Sequence, residues 1–100
     1  TLRRADLRIG KYSEIGLTLI NNLATSNGNA GKFKEGLPYY RDAVDRKLIV
    51  YGPYHKSTIH SQYNLAYCLS ELGEYKEAEK FCSQAVEGFK KLGESYINDQ

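Results

Sequence analysis

Four side chains in the second half of the sequence carry atoms that metal or nucleophilic chemistry requires. His55 and His60 offer imidazole nitrogens, and Cys68 and Cys82 offer thiols. Zinc sites gather such ligands through short, regular spacings, and these four residues follow none of them. A Cys–His nucleophilic pair also needs a third group that orients the base, and none can be named. The pattern predicts no metal, no cofactor and no catalytic residue, and it favours both cysteines as small buried hydrophobes.

A glycine-rich stretch, "GNAGKF" at residues 28–33, has a superficial likeness to a phosphate-binding loop. It lacks the spacing of that loop and the serine or threonine that follows its lysine, and no strand pattern precedes it. We interpret the stretch as a turn between two helices.

A row of polar and aromatic residues recurs at helical spacing in the same half of the chain. Its members are His60, Tyr63, Asn64, Tyr67, Ser70 and Glu71. An asparagine amide has donors and an acceptor, so it can hold a peptide backbone or a carboxylate without reading a sequence. Tyrosine adds flat apolar area with a polar tip. The row has the chemistry of a ligand-binding face, and the alternative is a packing face that binds nothing.

Composition limits the classes of protein to consider. The chain has 100 residues, 41% of them apolar and 26% charged, with a net charge of +2. This predicts one small domain, and the charge is too low to favour nucleic acid or an anionic membrane. The sequence has no apolar run of about 18 residues, so we predict no membrane-spanning helix. Two cysteines and no N-x-[S/T] site favour a reducing compartment, which we expect to be the cytoplasm. A start at Thr1 indicates a piece of a longer protein.

The sequence repeats with a period of 42 residues. Asn22-Leu23-Ala24 pairs with Asn64-Leu65-Ala66, and Gly31 pairs with Gly73. Further identical pairs are Gly10/Gly52, Tyr12/Tyr54, Lys34/Lys76, Glu35/Glu77, Ala43/Ala85 and Val44/Val86. We predict repeats at 11–52 and 53–93, the tail of a preceding repeat at 1–10, and a C-terminal tail at 94–100.

Each repeat is predicted to form two antiparallel helices. In the second repeat, apolar residues at i, i+3, i+4 and i+7 indicate helices over about 57–72 and 75–92. Ser57 or Thr58 is expected to cap the first, and Gly73 and Gly93 are expected to end the two helices. In the first repeat, "TSNGNAG" predicts that the first helix frays or winds differently in its last turn. The predicted core is Leu17, Leu23, Ala24, Phe33, Tyr40, Ala43, Val44, Leu65, Ala66, Leu69, Leu72, Tyr75, Ala78, Phe81, Ala85, Val86 and Phe89.

The segment "NLAYCLSELGEYKEAEKFCSQAVE" resembles a tetratricopeptide repeat (TPR) in the order of its small and large residues. The 42-residue unit, "NNLA" and "YGPYH" resemble the kinesin-light-chain type of that repeat. The resemblance implies an all-α solenoid of helix-turn-helix hairpins, whose first helices line a concave groove for a peptide of a partner protein. The site residues that it implies are Asn21, Asn22, Thr25, Asn29, His60, Tyr63, Asn64, Tyr67 and Glu71.

The expected function is therefore a protein-interaction scaffold with no chemistry of its own. A second hypothesis is a regulatory or adaptor module attached to an enzyme domain outside this sequence. Binding of RNA is a third, and the neutral face counts against it. Because a repeat must bury both faces of its first helix, we also expect neighbouring repeats or self-association to cover the ends.

Overall fold

The described part of the protein is a stack of two helical hairpins. The computed structural model describes residue 10 and residues 12–98, with side chains as far as residue 93. Within these residues all regular structure is helical, in the order α1 (Glu14–Asn29), α2 (Phe33–Tyr51), α3 (Lys56–Glu71) and α4 (Tyr75–Asn98). Each helix packs on the next along the chain. The predicted all-α solenoid is confirmed. Of the predicted tail at residues 1–10, residues 1–9 lie outside the described residues.

Glycines end the first helix of each hairpin. Gly31 and Gly73 have φ angles of 76° and 83°, which residues with a Cβ rarely adopt. The turn after each helix is closed by backbone hydrogen bonds from Lys32 N to Asn27 O (2.8 Å) and from Glu74 N to Leu69 O (2.9 Å). These are the bonds of a Schellman motif. The connections are therefore short and the two helices of each hairpin run antiparallel.

The predicted cap of α3 and the predicted end of α4 are wrong. α3 begins one residue earlier than predicted, and its cap is the His55 ring, whose Nδ1 accepts a hydrogen bond from Ser57 N (3.0 Å). Helix α4 runs through Gly93 to Asn98. A glycine ends a helix when its backbone turns left-handed, and Gly93 does not. Gly52 does end α2, and the proline that follows it disfavours a helical conformation there.

The last turn of α1 is a regular helix, which corrects the prediction of fraying. The Asn27 side chain donates a hydrogen bond from Nδ2 to Leu23 O (2.9 Å), so this polar residue supports the helix. Gly28 also has a reason to be small. A Cβ at Gly28 would overlap the hydroxyl of Tyr40, whose ring packs across α1 from α2.

The centre of the core is the seam between α2 and α3, with contributions from both flanking helices. It consists of Ala24, Tyr40, Val44, Leu65, Cys68, Leu69 and Ala78, with Phe33, Leu72 and Phe81 half-buried around it. Leu17, Ala43, Ala66 and Ala85 are buried as predicted. Ile20, Lys47, Thr58 and Ser61 are also buried and were not predicted.

Five residues predicted to be buried are exposed: Leu23, Tyr75, Cys82, Val86 and Phe89. All five lie at the outer sides of the stack. Leu23 is on the side of α1 that faces away from α3. The other four are on α4, where a further hairpin would pack. The periodicity identified their faces correctly, but no described helix covers those faces.

Candidate functional site

The polar row of α3 is the solvent face of that helix. Its opposite side is fixed by the buried residues Ile59, Leu65 and Leu69, so the remaining arc must face water. The members of the row are exposed at His60, Tyr63, Tyr67, Ser70 and Glu71, and half-buried at Asn64. The predicted position of the row is consistent with this helix setting.

The corresponding row of α1 is less open. Asn22 and Asn29 are exposed, whereas Asn21 and Thr25 are half-buried. These last two are the repeat-one equivalents of Tyr63 and Tyr67, which are exposed on α3. The difference follows from position, because a second hairpin packs beside α1–α2 and none of the described residues packs beside α3–α4.

The amides of Asn22 and Asn64 have no partner within residues 12–93. Neither side chain makes a hydrogen bond to another described residue. Asn27, by contrast, uses its amide to bond Leu23 O in its own helix. The two asparagines lie one repeat apart on the first helices of successive hairpins. Two amides with free donors and acceptors are therefore available to a ligand.

Three contacts fix how α3 is rotated against α2. The Tyr67 ring meets the Phe33 ring edge-to-face, with centroids 5.8 Å apart. The Cys68 thiol donates to Phe33 O (3.3 Å), and the Thr58 hydroxyl donates to Lys47 O (3.2 Å). Burial also raises the pKa of the Cys68 thiol, which keeps it protonated and able to donate. These contacts hold the polar row of α3 toward solvent.

The structure brings together some of the predicted site residues and separates others. Tyr63 and Tyr67 line one cavity of about 340 Å³ between α3 and α4. Asn21 lines a different, polar cavity of about 280 Å³ beside Lys47, and His60 lines a third of about 360 Å³ beside Phe89. Asn22 and Asn64 line none of these three cavities. The nine predicted residues thus form a row with cavities beside it, not one pocket.

His55 makes structural contacts, and the two cysteines are free thiols. Among the described residues, no three His, Cys, Asp or Glu side chains lie close enough to hold a metal ion. The His55 ring caps α3 and stacks on Tyr51, with centroids 4.2 Å apart. Cys68 and Cys82 are both free thiols, Cys68 buried and Cys82 exposed.

No helix in the described residues is long and apolar enough to cross a membrane.

Lys47 is a buried charged residue that the sequence reasoning missed. It lies in α2 beside Glu14 and Asn21, and burial lowers the pKa of its amine. The repeat contained the signal, because the second-repeat equivalent of Lys47 is the apolar residue Phe89. A lysine at a position that is apolar in the other repeat covers the seam with its aliphatic stem.

The described residues form successive antiparallel helix pairs that stack on each other. In each pair a glycine ends the first helix, and that helix presents a polar row. This arrangement defines an α-helical repeat array. The tetratricopeptide repeat family model matches residues 15–91, and the chain belongs to that family. Such repeats generally mediate protein–protein interaction. A search of curated proteins finds no match to the chain.

Proposed function

We propose that the chain is a scaffold that binds a peptide segment of a partner protein along the polar rows of α1 and α3. The observation that carries this proposal is the pair of unpartnered amides, Asn22 and Asn64, one repeat apart on the first helices. Binding, and not catalysis, is the function we propose.

The chemistry of the two amides suits an extended backbone. Each asparagine can accept from a peptide N–H and donate to a peptide C=O, so it supplies both halves of a backbone pairing. Successive contacts along α1 and α3 then fix the direction of the segment. Tyr67 and Tyr63 flank Asn64 and offer aromatic surface to side chains of the segment.

The proposal is tested with peptides selected on the intact chain from a random display library. Binding of each selected peptide is then measured by calorimetry for the wild type and for Asn22→Ala, Asn64→Ala and the double variant. We expect each single variant to weaken binding about 5- to 30-fold, because a hydrogen-bonded partner group loses its pair. Lys90→Ala, an exposed change on α4, is the control and should bind as the wild type does.

Unchanged affinity in the double variant, with the helical circular dichroism spectrum intact, would reject the two-amide clamp. Competition between the selected peptides and the chain's natural partner then shows whether the row is the physiological site. Turnover of a substrate by the longer protein, altered by the same variants, would instead support the regulatory-module hypothesis.

We also propose that the outer faces pack against further hairpins, from a longer chain or from a second copy. Leu19 and Leu23 are exposed on α1, and Val86 and Phe89 are exposed on α4. Their equivalents on the inner sides are covered where α3 packs on α2. Sedimentation across a range of concentrations tests self-association, and a strictly monomeric chain would leave only hairpins of a longer chain as the cover.

The 42-residue period favours the kinesin-light-chain type of repeat as the nearest subtype.

Two free thiols, one of them exposed, support a reducing compartment such as the cytoplasm. Thiol labelling in fractionated cells tests the second point, because an oxidising compartment would leave Cys82 blocked.

A further inference from the structure

The second helices of the two hairpins, α2 and α4, flank a groove whose floor is α3. The chain reverses direction twice between α2 and α4, so these two helices run in the same direction. At one end of the groove the Arg41 guanidinium of α2 contacts the Glu77 carboxylate of α4 through two hydrogen bonds. One guanidinium set against one carboxylate therefore joins the two helices at that end.

Farther along both helices, the groove opens into a cavity of about 550 Å³. Leu48 lies about two turns beyond Arg41 on α2, and Gln84 lies about two turns beyond Glu77 on α4. The cavity is thus at the next level of the same groove. Its lining includes Leu48, Pro53, Tyr54, Gln62, Gln84 and Glu87.

This cavity is not part of the end face of the stack. The exposed apolar residues of that end face include Val86 and Phe89 of α4. At 100° per residue, Val86 lies about 160° around the helix from Gln84, which lines the cavity. A further hairpin that packs on the end face would therefore leave this side of α4 uncovered.

The floor of the cavity contains a buried glutamine with an unused acceptor. Gln62 of α3 is 3% exposed. Its Nε2 donates to Gln84 Oε1 at 3.4 Å, whereas its Oε1 has no hydrogen-bond partner among the described residues. The equivalent residue of the first repeat is Ile20, which is buried and apolar. An unpaired buried amide oxygen is costly and an isoleucine avoids that cost, so the glutamine indicates a ligand with a hydrogen-bond donor.

The charges around the cavity indicate that this donor is a cation. The Glu87 carboxylate is exposed and forms no ion pair with any residue that the structure describes. None of the residues that line the cavity carries a positive charge. Both arginines in the described part of the chain are already paired with carboxylates. A guanidinium for this cavity therefore has to come from outside the described residues.

We propose that the cavity between α2 and α4 binds one arginine side chain of a partner protein. A guanidinium has five N–H donors in one plane, which suit the acceptors Gln62 Oε1, Gln84 Oε1 and the Glu87 carboxylate. The site lies on different helix faces from the peptide-binding rows of α1 and α3, so either proposal can fail without the other.

The apolar part of the lining favours arginine over lysine. Leu48 and Pro53 offer contact to the methylene stem of the side chain. The Tyr54 ring offers a face on which a guanidinium can stack, and an ammonium is more strongly hydrated than a guanidinium. A partly apolar cavity therefore desolvates arginine at a lower cost.

Nuclear magnetic resonance of the intact chain tests the site with a small probe. N-acetylarginine methylamide is titrated while the side-chain amide resonances of Gln62 and Gln84 are followed. N-acetylcitrulline methylamide is the matched probe, because it has nearly the same shape and no charge. We expect saturable shifts with arginine and at least about tenfold weaker binding of citrulline, since hydrogen bonds from a charged donor are lost. If arginine shifts neither resonance, or citrulline binds equally well, the proposal is wrong.

The first repeat supplies the variant that removes the acceptor. Gln62→Ile should abolish the arginine-dependent shift at Gln84. It should also raise the midpoint temperature of thermal unfolding by about 2–8 °C, because the unpaired buried oxygen is gone. A persisting shift would overturn the proposal. So would a lower midpoint temperature, because it would mean that the Gln62 amide is fully paired in solution.

The carboxylate is tested with two variants of equal charge. Glu87→Gln should weaken binding of the arginine probe about threefold, as expected for an exposed charge. Glu79→Gln removes a carboxylate from another side of α4 and should bind as the wild type does. Equal weakening by both changes would show that only net charge matters, and would contradict the site.

The same spectra distinguish a partner protein from a second copy of the chain. If the Gln62 and Gln84 resonances move when the chain alone is concentrated, a second copy fills the cavity and the proposal of a separate partner is wrong. The Asn22→Ala/Asn64→Ala variant should bind the arginine probe as the wild type does. Failure of the two-amide clamp therefore leaves this test unaffected.

Discussion

The two repeats carry the same residues at several positions and bury them differently. Leu65 on α3 is 1% exposed, and its repeat-one equivalent Leu23 on α1 is 47% exposed. The valines show the opposite order, with Val44 on α2 at 2% and Val86 on α4 at 49%. In each pair the buried member faces the α2–α3 seam. A residue's burial in this stack is therefore set by the neighbouring hairpin as much as by its own helix.

The repeats also differ in residues that face this seam or its equivalent. Tyr40 and Lys47 of α2 are covered by α3, whereas their equivalents Cys82 and Phe89 on α4 are exposed. The first repeat fills its groove with its own tyrosine, and the second leaves a cavity there. The second repeat is open at this place because no described hairpin packs on α3 and α4, as α3 packs on α2.

The largest expected difference between the repeats is in how much stability the equivalent changes Leu65→Ala and Leu23→Ala remove. Leu65→Ala should cost about 2–5 kcal/mol in the free energy of unfolding, because it opens a cavity in the seam. Leu23→Ala should cost less than about 1 kcal/mol, since half of the side chain is already in water. Urea denaturation of both variants measures the difference. Equal losses would show that the outer face of α1 is covered in solution.

Grafting the second repeat's serine into the first tests how the tyrosine fills its groove. Gly28→Ser should destabilise the chain by about 1–3 kcal/mol, because the new side chain overlaps the Tyr40 hydroxyl. In a Tyr40→Cys background the same change should cost much less, as the ring is gone. A thermal-unfolding double-mutant cycle over these two positions measures the coupling. Additive costs would contradict the shared groove geometry.

Replacing the buried lysine tests the second difference, Lys47 against Phe89. Lys47 is 6% exposed, and burial lowers the pKa of its amine below the ordinary value. The unfolded chain then binds more protons than the folded chain between the lowered and the ordinary pKa, so the free energy of unfolding rises with pH in that window. Lys47→Met should raise stability at neutral pH by about 1 kcal/mol and remove this rise. A loss of stability would show that the ammonium is well paired.

The smallest expected effect concerns an ion pair that joins the two repeats. Arg41 on α2 contacts Glu77 on α4 through two hydrogen bonds, of 2.5 and 2.7 Å, and the bond from Arg41 lowers the pKa of the Glu77 carboxyl. This stabilisation is present above the ordinary carboxyl pKa and is lost as the pH falls through the lowered value. Since both side chains are partly exposed, Glu77→Gln should cost about 0–1 kcal/mol.

Glu35 is the matched control for Glu77, being its identical residue in the first repeat. It is exposed, and no described arginine pairs with it. Glu35→Gln should leave both the stability at neutral pH and its decline in acid unchanged. If the two variants lose stability equally, the effect comes from net charge and not from the Arg41 contact.

Much of this fold follows from the sequence, and what does not follow has identifiable causes. The 42-residue period and the glycines at 31 and 73 fix the hairpins, because local turn chemistry decides where those helices end. The end of α4 could not be predicted, since Gly93 adopts a helical backbone that glycine merely tolerates. The exposure of Val86 and Phe89 could not be predicted either. Their spacing identifies a packing face, and only the presence of a neighbour buries it.

The candidate site, too, could be predicted from the sequence only in part. Helical spacing alone places Asn22 and Asn64 on rows that face away from the buried stripes, and the amides are indeed unpaired within residues 12–93. The cavity beside Tyr63 could not be predicted, since the sequence does not show which faces a neighbouring hairpin covers. The burial of Lys47 was not predicted because a charged residue breaks the apolar pattern. Only the second repeat, which has phenylalanine at this position, shows that the position is a packing one.

The reactivity of the two natural thiols tests most directly the claim that the stack seals its seam and leaves the face of α4 open. Cys68 is fully buried, bonds Phe33 O and has a raised pKa, whereas Cys82 is exposed. We predict that a thiol reagent modifies Cys82 within seconds, and that Cys68 reacts only at the rate of unfolding. Similar rates for both thiols would contradict the account.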